Sequence, residues 1–251
     1  MAIPLPNSLK LTRDKEGERV LNTMTKAWLA KDPRTPGIHA SNLLDPRLAY
    51  FEAKHGPREL DDKLACTFLI GKVLHAFVLS AQAGASGIDW ATDTGSKTSK
   101  ELGIQYSIDR FENGIPEELK TSRKPYEPRT VKDIDLYIEQ VLIYMAAKNS
   151  CVGKITVLFL SLKDNKHQTS PGYRCYEVTI SQEDLEKTKQ FISTTVKRLD
   201  CAIANEAVPS YEFRALPLCR QFKCGPKNCP HWEECKPEGR YPRKTKGAWK
   251  A

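Results

Sequence analysis

The periodicity of the apolar residues changes near Leu102, and this change limits the folds open to the chain more than any other feature. Before it, apolar side chains recur at helical spacing, most clearly over 60–83. After it, apolar and polar residues alternate over 104–109, as on a half-buried strand. A chain that uses both periods needs helices packed against a sheet.

The remaining patterns extend this mixture to most of the chain. Asp45 is a good helix N-cap and Pro46 suits the first helical position, so a helix begins there. We predict helices over 15–30, 46–56, 60–83, 131–148 and 181–207, strands over 104–109, 115–121, 154–162 and 173–180, and a loop over 84–100. This order predicts an α/β or α+β domain with a mixed central sheet flanked by helices.

The dipeptide Asn113-Gly114 predicts a tight hairpin, because both residues tolerate positive φ. Asp109 is expected to end the strand before the turn. Glu118 and Lys120 lie two residues apart on the returning strand, so both point to one face. The turn therefore brings two carboxylates and an ammonium group together.

Two carboxylates with open coordination positions suit Mg²⁺ or Mn²⁺. A bound metal can activate water, and the ammonium group of Lys120 can orient that water or stabilise developing negative charge. The alternative interpretation is a solvated, salt-bridged strand face, which acidic residues near a lysine commonly form.

Four motifs in order along the chain resemble those of the PD-(D/E)xK nuclease superfamily. They are most similar to RecB-type nuclease domains, including the CRISPR-associated RecB-like exonucleases. Gly71–His75 resembles the Gly-x-x-x-His helix, 107–110 and 118–121 resemble the Asp and Glu-x-Lys-Thr segments, and Gln140–Tyr144 resembles Gln-x-x-x-Tyr. The resemblance covers about 71–144.

This resemblance implies a restriction-endonuclease-like core and a metal-dependent nuclease. The implied ligands of Mg²⁺ or Mn²⁺ are His75, Asp109, Glu118 and the backbone carbonyl of Leu119. The implied catalytic set is Asp109, Glu118, Lys120, Gln140 and Tyr144, where Lys120 positions water and the last two support the lysine and the substrate. Histidines and glutamines on helices also occur as ordinary packing residues, which is the alternative for each motif alone.

Four of the eight cysteines crowd together near the end of the sequence. They are Cys219, Cys224, Cys229 and Cys235, and thiolates at such spacing hold zinc or an iron–sulfur cluster. The resemblance favours a 4Fe-4S cluster over zinc. In the family one cluster cysteine precedes the core, but Asp45 stands at that position here, and His231 is a substitute candidate. The other four cysteines are expected to be small buried side chains.

The charge balance favours a polyanionic partner. The chain has 39 Lys and Arg against 31 Asp and Glu, a net charge of +8. We assign nucleic-acid contacts to Arg123, Lys124, Arg129 and Tyr144, since phosphate contacts come largely from basic side chains. The resemblance implies DNA with single-stranded or frayed ends, and protein partners in recombination, repair or CRISPR adaptation.

These predictions divide the chain into a helical segment (1–59), a nuclease core (60–208) and a cysteine-rich basic tail (209–251). No apolar run is long enough for a membrane span and no secretory signal is seen, so we expect a cytoplasmic protein. The function expected is DNA phosphodiester hydrolysis, most simply by an exonuclease. The alternatives are a non-catalytic nucleic-acid-binding module and a metal or redox protein whose cysteine tail is the functional part.

Overall fold

The computed structural model describes residues 14–30, 36–56, 61–86, 96–130, 133–163, 168–208 and 231–235. Its helices are α1 (Lys15–Ala30), α2 (Ala40–Leu43), α3 (Pro46–His55), α4 (Asp62–Ser86), α5 (Asp135–Lys148), α6 (Gln182–Ala204) and α7 (Trp232–Cys235). Its strands are β1 (Lys97–Ser99), β2 (Ile104–Tyr106), β3 (Arg110–Glu112), β4 (Ile115–Ser122), β5 (Val152–Lys163) and β6 (Thr169–Thr179). The result is a mixed α/β protein, as the order of elements predicted.

A four-stranded mixed sheet in the order β3-β4-β5-β6 forms the centre of the fold. The β3–β4 and β5–β6 pairs are antiparallel, whereas β4 and β5 run parallel. The parallel register joins Glu118 to Ile155 and Lys120 to Val157. A parallel pair needs a crossover connection, and α5 supplies it. A separate two-stranded sheet joins β1 to β2.

Helix α5 packs closely on the sheet because Gly153 has no side chain. A Cβ at Gly153 would lie 2.4 Å from Val141 Cγ1 and 2.8 Å from the sulfur of Met145. Both of those α5 side chains are fully buried, together with Ile155 on β5. This close approach sets the distance between α5 and the sheet.

The described elements cluster into two compact units, each considered by itself. One consists of α1 and the part of α4 before His75, and the other contains the remaining described elements. Ion pairing between Lys26 and Asp62 at 2.7 Å belongs to the first unit. Among the described residues, no helix has the length and apolar character needed to cross a membrane.

The hairpin turn forms where Asn113-Gly114 predicted it, with φ of 51° and 80°. The first predicted strand is wrong in detail, since β2 ends at Tyr106 and β3 begins at Arg110. Asp109 therefore lies immediately before a strand instead of ending one. The alternation is continuous over 104–109 in the sequence, but only its first half forms a strand, β2, and the next strand begins after it.

The predicted loop over 84–100 is wrong at both ends. Helix α4 continues to Ser86, and Lys97–Ser99 forms β1 by antiparallel pairing with β2. A three-residue strand carries almost no periodicity of its own, so its partner decides its conformation. The helices α2 and α7 were not predicted either, because each has only four residues and so shows no helical periodicity.

The scattered cysteines are not buried as expected. Cys66, Cys175 and Cys201 are exposed, and Cys151 is intermediate. Exposure follows from their positions, because Cys175 lies on the edge strand β6 and Cys201 on the outer face of α6. The prediction of burial rested on residue type alone, whereas the exposure of each cysteine depends on the face of the helix or strand on which it lies.

Helix α3 carries the contacts of the last described segment, residues 231–235. Asp45 is its N-cap, as predicted, and accepts a hydrogen bond from the Leu48 N–H at 3.3 Å. The buried Arg47 donates to the Cys235 carbonyl at 2.8 Å and lies 3.4 Å from its Sγ. The ring of His231 stacks on Phe51 with centroids 5.3 Å apart. The segment 231–235 is thereby fixed on α3.

Candidate active site

Glu118 and Lys120 form the centre of the site, on the face of β4 that α5 covers. Their ammonium and carboxylate groups pair directly. Glu118 is only 2% exposed, whereas Lys120 is partly exposed. The Lys120 Nζ also lies 5.7 Å from the ring centroid of Tyr137 on α5, within the range of a cation–π contact. The alternation of β4 places both side chains on one face, as the two-residue spacing predicted.

Asp109 is held beside this pair by the backbone of β4. Its Oδ2 accepts a hydrogen bond from the Leu119 N–H at 2.7 Å. That N–H points toward β3, but β3 begins only at Arg110, so the carboxylate takes the place of a missing strand residue. Because the N–H and C=O of one strand residue point to the same side, the Leu119 carbonyl is directed toward this edge as well.

His75 on α4 lies next to the same carboxylate. Its Nδ1 is 3.7 Å from Asp109 Oδ1, and both side chains are about three-quarters buried. The three side chains predicted to hold a metal therefore share one neighbourhood, although they come from a helix, a loop and a strand.

Gln140 and Tyr144 approach the site from α5, one helical turn apart. The Lys120 Nζ donates to Gln140 Oε1 at 3.0 Å, and Gln140 Nε2 donates to the Tyr144 hydroxyl at 2.6 Å. This chain fixes the direction of the lysine side chain. Tyr144 is buried, and burial together with the neighbouring carboxylates raises the pKa of its hydroxyl.

The electrostatic state of the site depends on Glu118. The pKa of its carboxyl is raised to about 7, because burial, with a smaller contribution from the charge of Asp109, outweighs the opposing effect of the Lys120 charge. Its Oε2 is buried and accepts no hydrogen bond from the residues that the structure describes. A buried carboxylate oxygen without a partner is costly, which makes this atom the place where a cation would be stabilised.

The residues fit a divalent metal by this criterion. Asp109 and Glu118 supply oxygen ligands of the kind that Mg²⁺ and Mn²⁺ prefer, and His75 adds a nitrogen. In the part of the chain that the structure describes, no group of three or more His, Cys, Asp or Glu side chains is placed to hold a metal ion. A site that keeps several water ligands does not need one.

A second buried carboxylate was missed by the sequence analysis. Glu117 faces the opposite side of β4, where it pairs with Arg110 and accepts a hydrogen bond from Thr156 Oγ1 at 2.5 Å. These contacts tie β3, β4 and β5 together directly behind the site. The alternation of β4 places Glu117 behind Glu118, and the two-residue Asn113-Gly114 turn sets the register that pairs it with Arg110, so the sequence held the signal for this contact.

Three of the four predicted nucleic-acid contacts lie in the segment 123–130, which follows β4. Arg123, Lys124 and Arg129 are all exposed there, whereas Tyr144 is buried in the network described above. Of the four clustered cysteines, Cys235 is described and buried against α3. Cys219, Cys224 and Cys229 lie outside the described residues.

Several solved structures are similar to this protein, whereas its sequence matches no family model and no curated protein. A phage-related exonuclease from Haemophilus somnus 129PT is similar at 12% identity and a TM-score of 0.48, over 74% of this chain and 100% of that one.

Two further solved structures are similar to the same degree. The alkaline exonuclease LHK-Exo from Laribacter hongkongensis has 16% identity and a TM-score of 0.46, covering 68% of this chain and 91% of that one. The structure of SSO0001 has 15% identity and a TM-score of 0.45, covering 70% and 85%.

Proposed function

We propose that this protein is a metal-dependent nuclease that hydrolyses phosphodiester bonds in DNA. The observation that carries the proposal is the convergence of Asp109, Glu118 and Lys120, with the buried Glu118 Oε2 left without a hydrogen-bond partner among the described residues. Paired carboxylates beside a lysine and a basic surface suit an anionic substrate whose reaction develops negative charge.

Asp109, Glu118 and His75, with the Leu119 carbonyl, would hold Mg²⁺ or Mn²⁺. A metal bound there would lower the pKa of a coordinated water and neutralise charge on a phosphate. Lys120 holds its ammonium group at the mouth of the site, where it orients the attacking water or stabilises the charged phosphate. Gln140 keeps that ammonium group in place, and Tyr144 in turn fixes Gln140.

We assign the substrate as DNA with single-stranded or frayed ends, and the action as that of an exonuclease. A role in recombination, repair, end processing or CRISPR adaptation, with protein partners in such a complex, is part of the same proposal. The exposed Arg123, Lys124 and Arg129 would contact phosphates beside the site. The competing function is a nucleic-acid-binding module that uses the same basic surface without cleavage.

Cleavage of end-labelled single- and double-stranded DNA tests the proposal. Wild-type protein should cut in Mg²⁺ or Mn²⁺ and not in EDTA. Lys120→Ala should lower the rate about 100-fold or more, the usual effect of removing one electrostatic contact to a transition state. The matched control is Lys187→Ala, which removes an exposed lysine paired with Glu183 on α6.

Binding measured on the same samples separates the two functions. If wild-type protein binds DNA but does not cut it with either metal, the nuclease proposal is wrong and the binding module replaces it. If Lys120→Ala cuts as fast as wild type, the activity does not come from this site.

We further propose that Cys219, Cys224, Cys229 and Cys235 hold a 4Fe-4S cluster rather than zinc. The support is the position of Cys235, which is held on α3 with its Sγ 3.4 Å from the buried Arg47 guanidinium, so a ligand to the cluster is fixed beside the core. Protein purified without oxygen should show a broad visible absorption that Cys235→Ser removes. Colourless protein with stoichiometric zinc would contradict the cluster.

A further inference from the structure

A cavity of about 260 Å³ opens where β4 ends, directly beyond the candidate active site. Ser122 lines it and follows Lys120 by two residues, so it lies on the same face of β4 about 7 Å further along the strand. Tyr137 lines the cavity and also lies against the Lys120 ammonium group. The cavity and the candidate active site are therefore adjacent parts of one surface.

The floor of the cavity is apolar and its walls are aromatic. Val157 and Phe159 of β5, both fully buried, form part of the lining. Tyr137 and Tyr126 also line the cavity, and the ring of Tyr126 is 55% exposed. Such a lining suits a flat, largely apolar ring system that can stack on tyrosine.

Charged groups lie around this apolar interior. Lys124 and Arg129 are exposed members of the lining, and the Lys163 Nζ lies 5.5 Å from the ring centroid of Tyr126. Two acidic residues also line the cavity, but Glu127 pairs with Arg174 at 2.6 Å. The other, Asp133, accepts hydrogen bonds from backbone N–H groups of the same segment, which lower the pKa of its carboxyl.

These contacts also hold the cavity open. The segment 123–130 is fixed to β5 by the Lys163 N–H, which donates to the Pro125 carbonyl at 2.8 Å. It is fixed to β6 by the Glu127 pair and to the start of α5 by Asp133. Pro125 and Pro128 restrict its backbone further. The cavity is preformed, so a ligand does not have to order it.

We propose that this cavity binds the base of an unpaired nucleotide next to the phosphate at the candidate active site. The inference rests on the proposed function and specifies its substrate. The volume falls just below the ~300–1,000 Å³ of drug-sized sites, which suits one base and excludes a base pair. The enzyme would then select DNA whose end is single-stranded, because a paired base cannot enter.

Equilibrium binding in EDTA tests the cavity without cleavage. The probes are a fluorescein-labelled 12-nucleotide single strand and the matched blunt duplex. Tyr126→Ala should weaken single-strand binding about tenfold, since one stacked base contributes that much or more. Duplex binding should change less than about twofold. Tyr126→Trp, which keeps a stacking surface, should bind like wild type.

Tyr173→Ala is the matched control, because Tyr173 is 49% exposed on β6 and does not line the cavity. Single abasic sites placed along the strand supply a second measurement. One position should weaken binding to wild type about tenfold and have no effect on binding to Tyr126→Ala, as expected for two partners of one contact. Equal binding by Tyr126→Ala and Tyr173→Ala, or equal losses on single strand and duplex, would overturn the proposal.

A cleavage assay with Mn²⁺ distinguishes failure of the cavity from failure of the nuclease. If wild type cuts single strands and Tyr126→Ala shows unchanged affinity and unchanged preference for single-stranded ends, the cavity proposal is wrong while the nuclease remains. If wild type does not cut but single-strand binding depends on Tyr126, the base-binding cavity is supported and the nuclease proposal is wrong.

Discussion

Glu118 is the residue whose environment conflicts most with its chemistry. Its carboxyl is buried, has one oxygen that no described residue hydrogen-bonds, and lies near a second carboxylate on Asp109. The ammonium group of Lys120 compensates only in part, because the pKa of the carboxyl remains raised to about 7. Positions with such conflicts are more often functional than structural.

The raised pKa predicts how the stability of metal-free protein depends on pH. The folded pKa lies above the unfolded value, so the contribution of Glu118 is present below about pH 4.5 and is lost as the pH rises through about 7. The loss is at most about 3 kcal/mol. Glu118→Gln should remove this dependence, because an amide does not ionise.

Denaturant unfolding in EDTA at about pH 5 and pH 8 measures the effect. The free energy of unfolding of wild type should fall more between these pH values than that of Glu118→Gln, while titration of other groups cancels in the difference. Parallel changes in the two proteins would show that Glu118 does not titrate in this range.

At the scale of single residues, the convergence of the candidate-site side chains could be predicted better than the contacts around them. Asp109, Glu118 and Lys120 could be predicted to converge, because the period of a strand and an Asn-Gly turn are local properties. Glu117 was missed although the two-residue Asn113-Gly114 turn sets the register that pairs it with Arg110. Tyr137 was missed as well, since its contact with Lys120 depends on how α5 lies on the sheet.

At the scale of elements, the contact between α5 and β5 decides whether the side chains of Gln140 and Lys120 meet. Gly153 lets α5 approach closely enough for Gln140 to accept a hydrogen bond from Lys120. Most helices and strands could be predicted, since their periods are long enough to recognise. The short strand β1 and the gap before β3 could not, because segments this short carry too little periodicity of their own and strand pairing decides their conformation.

Gly153→Ala should therefore affect both stability and cleavage. The added methyl group would meet Val141 and Met145 inside normal contact distance, and such overpacking costs about 1–3 kcal/mol. Displacement of α5 should also lower cleavage, because Gln140 would leave Lys120. Thermal unfolding and the cleavage assay on the same preparations measure the two effects.

Gly71→Ala is the control for stability. A Cβ at Gly71 meets no described atom within 4 Å, and alanine in a helix is favoured over glycine by about 0.5–1 kcal/mol. The two glycine substitutions should thus change the melting temperature in opposite directions. If Gly153→Ala is as stable as wild type, α5 does not depend on this close approach.

For the whole molecule, the positive charge predicts how DNA binding responds to salt. The net charge is +8, and three exposed cations lie beside the candidate site, Arg123, Lys124 and Arg129. Each phosphate contact contributes about 0.7 to the slope of log affinity against log salt for single strands. Replacing all three with alanine should reduce that slope by about 2.

Titrations of a labelled single strand at several salt concentrations measure the slope. Lys187→Ala, which lies on α6, should leave it unchanged. An unchanged slope in the triple variant would place the phosphate contacts elsewhere on the protein. The total charge could be read from the sequence, whereas its placement beside the site depended on where β4 ends.

The contact between Arg47 and Cys235 spans 188 residues of sequence. At about 5–20 residues per second, a ribosome would add the second of these residues roughly 10–40 s after the first. Until then Arg47 and Phe51 lack the contacts that Cys235 and His231 supply, on a nascent chain that already contains every residue of the candidate active site. Docking of residues 231–235 therefore follows synthesis of that site, and a chain stalled before it would lack these contacts on α3.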